Sequence, residues 1–289
     1  MFGFLNIDKP IGMTSHDVVA QARRKLGLKK IGHAGTLDPL ASGVLILCVG
    51  AATRLSEYVM DSTKRYRARV RLGVVTETYD AEGAVIAEHD ASHITREEVE
   101  ASLIPFLGKI EQVPPMYSAI KQGGVKLYDL ARAGETVERQ PRPVRIDALT
   151  ISAWQPSEFT LDVTCSAGTY IRSLAFDLGA ALGVGAHLAG LIRLASGQFT
   201  VEEAVTLPDF LAADDPQSHL IPPTADLLGM VSLILDSSLQ AEIRYGRAIQ
   251  LVSEYAGDTL AFAVDASGQP VAILRAENGL WRPEKVFSG

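Results

Sequence analysis

The chain has 289 residues, 47% of them hydrophobic, and 27 Lys and Arg against 34 Asp and Glu give a formal net charge of −7. That length calls for one large domain with a small one, and the apolar content suits a well-buried core. The longest apolar candidate for a membrane span, 179–195, is broken by His187 and Arg193. Asp8, Lys9 and Pro10 come before any signal-like core could form. Cys48 and Cys165 stand far apart, which excludes a Cys-x-x-Cys site and points to a reducing cytoplasm. Net acidity argues against a polyanionic partner, but the charge is segregated. Residues 1–71 hold 12 basic and 5 acidic side chains, residues 72–150 hold 8 and 13, and residues 151–289 hold 7 and 16. Screening confines phosphate attraction to roughly 10 Å, so a basic surface on an acidic body can still bind nucleic acid.

In chain order, Thr14-Ser15-His16-Asp17 precedes Val18, Val19, Ala22 and Leu26 at helical spacing with Gly27 beyond, which predicts a capped helix of about three turns. It leads through Lys29 and Lys30 into Gly32-His33-Ala34-Gly35-Thr36-Leu37-Asp38-Pro39-Leu40-Ala41-Ser42-Gly43. This loop presents one carboxylate from a backbone shaped by glycines and by a proline that disfavours helical angles at Asp38. Val44–Val49 behind it reads as a buried strand, a rigid support for a reactive group. On local chemistry alone, an Asp-Pro that merely opens a turn is an equal alternative.

Further on, Tyr66, Ala68, Val70 and Leu72 alternate with Arg65, Arg67, Arg69 and Arg71, a half-buried strand with one apolar and one cationic face. His89 and His93 stand four apart, yet Ser92 and Ile94 read as a helix start and not a metal site. Residues 113–145 combine Pro114-Pro115 and Gly123-Gly124 with Lys121, Lys126, Arg132, Arg139, Arg142 and Arg145. They read as an insertion that touches RNA, in which Tyr117 and Tyr128 stack on bases or pack locally. A strand over 160–166 runs into a helix from about Ile171 to Leu182, and proline-rich 207–224 reads as a linker. Short strands after it predict a small β-barrel. Dinucleotide, P-loop and nucleophile-elbow motifs are missing.

The loop around Asp38, with Leu5-Asn6-Ile7-Asp8-Lys9-Pro10-Ile11-Gly12-Met13-Thr14-Ser15 before it and Lys64-Arg65-Tyr66 after it, resembles the TruB family of tRNA pseudouridine synthases. The likeness continues through Pro115-Met116-Tyr117-Ser118-Ala119-Ile120-Lys121, Leu127-Tyr128, Ala131-Arg132 and Gly168-Thr169-Tyr170-Ile171-Arg172-Ser173-Leu174. It covers about residues 3–205 well and the tail weakly. The resemblance implies an α+β fold with a mixed, largely antiparallel sheet and flanking helices. It divides the chain into a catalytic domain, 1–228, bearing the RNA-binding insertion at about 113–145, and a PUA-like domain, 229–289.

The implied activity is isomerisation of uridine 55 in the T-arm of tRNA to pseudouridine by base flipping. The implied partner is the tRNA stem-loop, with no metal, redox cofactor, nucleotide cofactor or membrane, and the protein is expected to be a monomer. By the same resemblance Asp38 is the essential carboxylate, acting as a nucleophile or in glycal formation. Arg172 pairs with it, and Tyr66 stacks on the uracil and takes part in proton transfer. His33 sits against the flipped nucleotide's stack, Leu191 lines the uracil pocket, and Tyr170, Lys64 and Asp80 are pocket or RNA contacts. Lys9 and Pro10 hold the N-terminal segment beneath the loop. Two rivals remain: a tRNA-folding chaperone with incidental isomerase activity, and a carbohydrate enzyme that would need a second carboxylate near Asp38.

Overall fold

The computed structural model describes residues 1–118, 120–135, 137–250, 255 and 257–287. Ala119 of the Pro115–Lys121 motif lies outside the described residues, as do the side chains of the expected phosphate grips Lys121, Lys126 and Arg132.

The first half runs β1 (Phe2–Lys9), α1 (Ser15–Leu26), β2 (Ile31–Ala34), β3 (Ala41–Gly50), α2 (Ser56–Met60), β4 (Lys64–Leu72), β5 (Val74–Thr76), β6 (Val85–Glu88), α3 (Arg96–Leu103) and β7 (Gly108–Gln112). The insertion contributes β8 (Lys121–Gln122), β9 (Val125–Lys126) and α4 (Leu127–Arg132). Then follow β10 (Arg142–Gln155), β11 (Glu158–Cys165), α5 (Ile171–Ala181), β12 (Ala186–Ser196), β13 (Phe199–Thr200), β14 (Val205–Thr206), α6 (Leu207–Ala212) and α7 (Ala225–Leu228). The tail adds β15 (Val231–Ile234), α8 (Ser237–Arg244), β16 (Leu260–Val264), β17 (Pro270–Glu277) and β18 (Leu280–Val286).

A ten-stranded sheet in the order β14-β1-β3-β12-β4-β11-β10-β7, with β2 on β3 and β13 on β12, forms the body. Only the β1–β14 and β3–β12 pairs are parallel, so the mixed, largely antiparallel sheet expected from the sequence is present. On β4 the alternation is complete. Tyr66, Ala68, Val70 and Leu72 turn inward onto α5, while the intervening arginines are exposed on the opposite face. There Arg67 pairs with Asp162 at 2.8 Å and Arg69 with Glu158 at 3.6 Å. Exposed pairs of this kind contribute about 1 kcal/mol or less.

Local chemistry explains the element ends. Thr14 caps α1 with Asp17 closing a capping box, and Gly27 ends it in the left-handed region at φ 62°. Helix α3 starts later than the Ser92 expectation, because Thr95 and Glu98 form the capping box while the Ser92 N–H donates to Asp90. The predicted linker over 207–224 is overturned. Thr206 caps α6, Pro208 sits in its first turn, and Leu207 and Phe210 are buried against α1 and β3. Proline there starts a helix instead of breaking one. Ile221 then exchanges two 2.8 Å backbone hydrogen bonds with Phe4.

The tail forms a four-stranded sheet, β15-β16-β17-β18, parallel at its first pair and antiparallel at the others. Its Phe262, Ile273 and Phe287 share a core with Phe4, Val44, Ile46, Cys48 and Leu55 of the body. The Phe2 and Phe287 rings are 5.5 Å apart, Arg54 lies over Phe287 and donates to the Val286 carbonyl, and Lys285 pairs with Glu57. This continuity makes the tail part of the stability of the body. Phe287→Ala is expected to cost about 3 kcal/mol in urea unfolding, with one cooperative transition. Separate body and tail transitions, or a cost under about 1 kcal/mol, would mean the shared core contributes little.

Candidate active site

The loop between β2 and β3 is tied down on every side. Ser15, fully buried, donates from its hydroxyl to the Leu37 carbonyl at 3.0 Å and accepts from the Leu37 N–H at 2.8 Å. The Gly12 N–H donates to the Pro39 carbonyl at 2.9 Å, and the Gly43 N–H to Asp8 at 3.2 Å. Lys9 is wholly buried beneath, its ammonium donating to the carbonyls of Pro10 and Met13, and burial pushes its pKa down to about 8. Arg193 closes the other side by donating to the carbonyls of Gly35 and Val44 at 3.1 and 2.7 Å.

Asp38 is thereby presented with its side chain 41% exposed, facing Arg172 of α5 at 3.0 Å. The guanidinium, 7% exposed, has all its nitrogens engaged: Nε on Asp38, Nη1 on Asp80 at 3.5 Å and the Thr78 carbonyl at 3.3 Å, Nη2 on the Tyr117 carbonyl at 2.7 Å. Four segments distant in sequence meet at one planar fork, which an ammonium could not serve. Asp80 is itself fixed by the Thr78 hydroxyl at 2.5 Å and the Glu82 N–H at 3.1 Å. Its neighbour Tyr79 takes a positive φ of 64° and stacks on Phe176 at 3.9 Å. Desolvation lifts the Asp38 carboxyl above the ordinary carboxylate range and Asp80 adds to the rise, while Arg172 and Lys9 oppose it.

Tyr66 is 9% exposed on the same inner face. Burial raises its hydroxyl pKa, and the adjacent Arg193 guanidinium opposes that rise. Leu191 is half-buried between the two body cores, in register with Ala41 and Ala68. Tyr170 caps α5, and its backbone N–H and carbonyl are both held by the Gln112 side chain at 2.8 and 3.0 Å. His33 packs edge-on against His16 at 5.2 Å with Nδ1 buried and unpartnered. Lys64 does not join this group: it is 5% exposed and donates to the Met60 and Ser62 carbonyls and the Ser62 hydroxyl.

The structure therefore brings Asp38, Arg172, Asp80 and Tyr66 together with Leu191 and Tyr170 nearby, and adds Ser15, Tyr117 and Arg193, which sequence reasoning did not single out for the site. The signals for Ser15 were its hydroxyl next to the α1 cap and its place at the end of the Leu5–Ser15 motif. Among the described residues no group of three His, Cys, Asp or Glu side chains could hold a metal, and His89 and His93 find no third ligand.

Comparison with known proteins follows this geometry. Residues 23–171 match the family model described as the TruB family pseudouridylate synthase N-terminal domain, and 172–228 match the tRNA pseudouridylate synthase B C-terminal domain. The chain is 51% identical to the tRNA pseudouridine synthase B of Symbiobacterium thermophilum over 85% of this chain and 82% of that one. It is 43% identical to the enzyme of that name from Thiobacillus denitrificans, over 99% and 96%. Among solved structures, a Cbf5-Nop10-Gar1 complex aligns with a TM-score of 0.77 at 27% identity, over 99% of this chain and 85% of that chain. An H/ACA RNP bound to a substrate RNA containing 2′-deoxyuridine aligns with a TM-score of 0.76 at 25% identity, over 100% and 86%.

His33 offers a test of the site's electrostatics. Burial, with His16 and Arg193 adding to it, lowers its pKa from 6.5 to about 4. The unfolded chain therefore takes up the proton first as pH falls, so folding stability is unaffected above about 6.5, declines between about 6.5 and 4, and levels off below. Relative to wild type, His33→Asn is expected to gain up to about 2 kcal/mol in unfolding free energy between pH 7 and pH 4.5. A constant difference across that interval would mean that the imidazole titrates normally.

Proposed function

Because the chain belongs to the TruB family of pseudouridylate synthases, we propose that it isomerises uridine 55 in the T-arm of tRNA, with Asp38 as the essential carboxylate. The observation that carries this reading is the Asp38–Arg172–Asp80 arrangement: a reachable carboxylate aimed by a buried fork, beside a buried tyrosine and an apolar wall at Leu191. It also argues against Asp80 as the second carboxylate that the carbohydrate-enzyme rival requires. Asp80 is only 4% exposed and committed to Arg172 and Thr78, so it serves to hold the fork and is not a second reacting carboxylate.

In the reaction the N1–C1′ bond of the uridine breaks, the uracil turns, and a C5–C1′ bond forms. The hydrogen leaves C5 and N1 gains one, so nothing is oxidised, reduced or consumed. A flipped base needs a dry slot with a planar face, and Tyr66 with Leu191 offer one. Asp38 attacks the nucleoside or removes the sugar's 2′ proton to give a glycal; both routes need it oriented and charged, which is the service of Arg172. We assign the Tyr66 ring to stacking on the uracil and its hydroxyl to a part in proton transfer. His33, held neutral, fills space against the nucleotide stack, and the Lys64 ammonium is held at the start of β4 by three acceptors on Met60 and Ser62.

Incubation with an unmodified T-arm stem-loop carrying 5-tritiated uridine reads the reaction as tritium release. Wild type is expected to release label stoichiometrically. Asp38→Asn should fall below detection while stem-loop binding stays within about tenfold, roughly 1.4 kcal/mol. Arg172→Lys and Asp80→Asn should be damaged less. Pseudouridine formation by Asp38→Asn, in material free of other synthases, would remove the carboxylate from the mechanism. If Tyr66→Phe reacts at nearly the wild-type rate, the ring serves to stack and the hydroxyl has no chemical part.

Salt titration tests the RNA grip. Arg142 is exposed at the start of β10, and Arg139 donates to the Pro114 carbonyl at 3.0 Å within the insertion. Replacing both by alanine should flatten the log–log salt dependence of tRNA binding by about one unit for each phosphate left unneutralised. An unchanged slope would mean that these arginines do not meet the backbone.

A further inference from the structure

Arg193 is a cation 1% exposed, and the described ion pairs give it no carboxylate. A buried charge without a counterion is costly and persists where its hydrogen bonds perform a task. Its Nε donates to the Val44 carbonyl at 2.7 Å, Nη2 to Gly35 at 3.1 Å, and Nη1 reaches toward Thr36 at 3.5 Å. These acceptors bracket Asp38, two on the approach and one on the exit, so the guanidinium closes the loop from inside.

The backbone of Arg193 is placed just as tightly. It is in register with Gly43 across the parallel β3–β12 pair, and a Cβ built on Gly43, at φ 95°, would lie 2.3 Å from the Arg193 carbonyl oxygen. Across the antiparallel β12–β4 pair it is in register with Tyr66, whose hydroxyl its guanidinium adjoins. One residue thus bonds to both ends of the Asp38 loop and stands opposite Tyr66 across the β12–β4 pair. We infer that Arg193 is a positioning residue for this reaction, its guanidinium holding the Asp38 loop and the Tyr66 hydroxyl in one rigid frame around the flipped uridine. The inference rests on the proposed isomerisation and adds to it a part for a residue that does not touch the reacting atoms.

Arg193→Lys keeps the charge and loses the fork. Its single-turnover rate on saturating stem-loop is expected to fall about 100-fold, the cost of a misplacement near 1 Å, with the Kd for the stem-loop within about threefold of wild type. Hydrogen exchange followed by mass spectrometry should quicken in peptides covering 35–44 and remain unchanged in β11 and the tail. A rate within about threefold of wild type, a rate loss matched by lost affinity, or exchange that quickens everywhere would each overturn the proposal. If Arg193→Lys does not fold, Arg193→Gln carries the same measurements. Failure of both to fold would show a cation needed by the whole structure, and that too would overturn it. Wild type run alongside separates the two claims: a wild type that releases no tritium refutes the isomerisation, while the exchange data still judge the frame.

Discussion

The Arg172 guanidinium is the junction on which the Asp38 cluster depends. It joins helix α5 to the Asp38 loop, to the turn carrying Thr78 and Asp80, and to the insertion through Tyr117. Two carboxylates share one cation, and removing that cation would leave the buried Asp80 uncompensated beside the partly exposed Asp38. Breaking a buried charge pair in this way typically costs about 3–5 kcal/mol. Chemistry and architecture are therefore stabilised by the same group, and the strained backbone at Tyr79 is tolerated beside it because the stack on Phe176 and the bonds around Asp80 over-determine that turn.

The rest of the body supplies walls for this junction. Strands β3, β12 and β4 lie side by side at the middle of the sheet, so the Asp38 loop, Leu191 and Tyr66 approach from neighbouring strands at matched heights. Beneath, the N-terminal segment forms a second layer: Lys9 spends its ammonium on two carbonyls of its own turn, and Ser15 clips Leu37. On the opposite sheet face the tail closes over β1 and β3. Protein thus packs both faces of the strands that carry the loop, and a loop mounted this way has little freedom to reorganise when charge develops.

Much of this was legible in the sequence wherever the signal was local. The cap residues of α1, the strict alternation of β4, the apolar run of β3 and the strand at Leu260–Val264 all appear where their periodicity put them. Family motifs brought Asp38, Tyr66 and Arg172 onto one list, and the structure puts them in one place. What stayed hidden depends on partners without a side-chain signature. Arg193 spends its donors on main-chain carbonyls, as Arg172 does in part, and any residue can offer a carbonyl. Their acceptors Gly35 and Tyr117 lie 158 and 55 positions away, which no local pattern reports. Lys64, which the family resemblance offers as a pocket or RNA contact, is buried and donates to three acceptors on Met60 and Ser62, partners that no local pattern reports. The 207–224 segment misled for a related reason: proline breaks chains in the middle of elements and begins them at helix N-termini.

The carbonyl of Tyr117 belongs to the insertion, while the guanidinium it holds at 2.7 Å belongs to the carboxylate cluster. A nucleic acid that shifts the insertion must either carry that bond along or surrender it. Losing it would free one Arg172 nitrogen and change how strongly the cation opposes the raised pKa of Asp38. The insertion and the Asp38 carboxylate consequently share a single free-energy cycle, and linkage requires any influence to run equally in both directions. Whatever tightens the hold of Arg172 on Asp38 would also settle the insertion, so the order of that segment is a thermodynamic readout of how one small charged group is arranged.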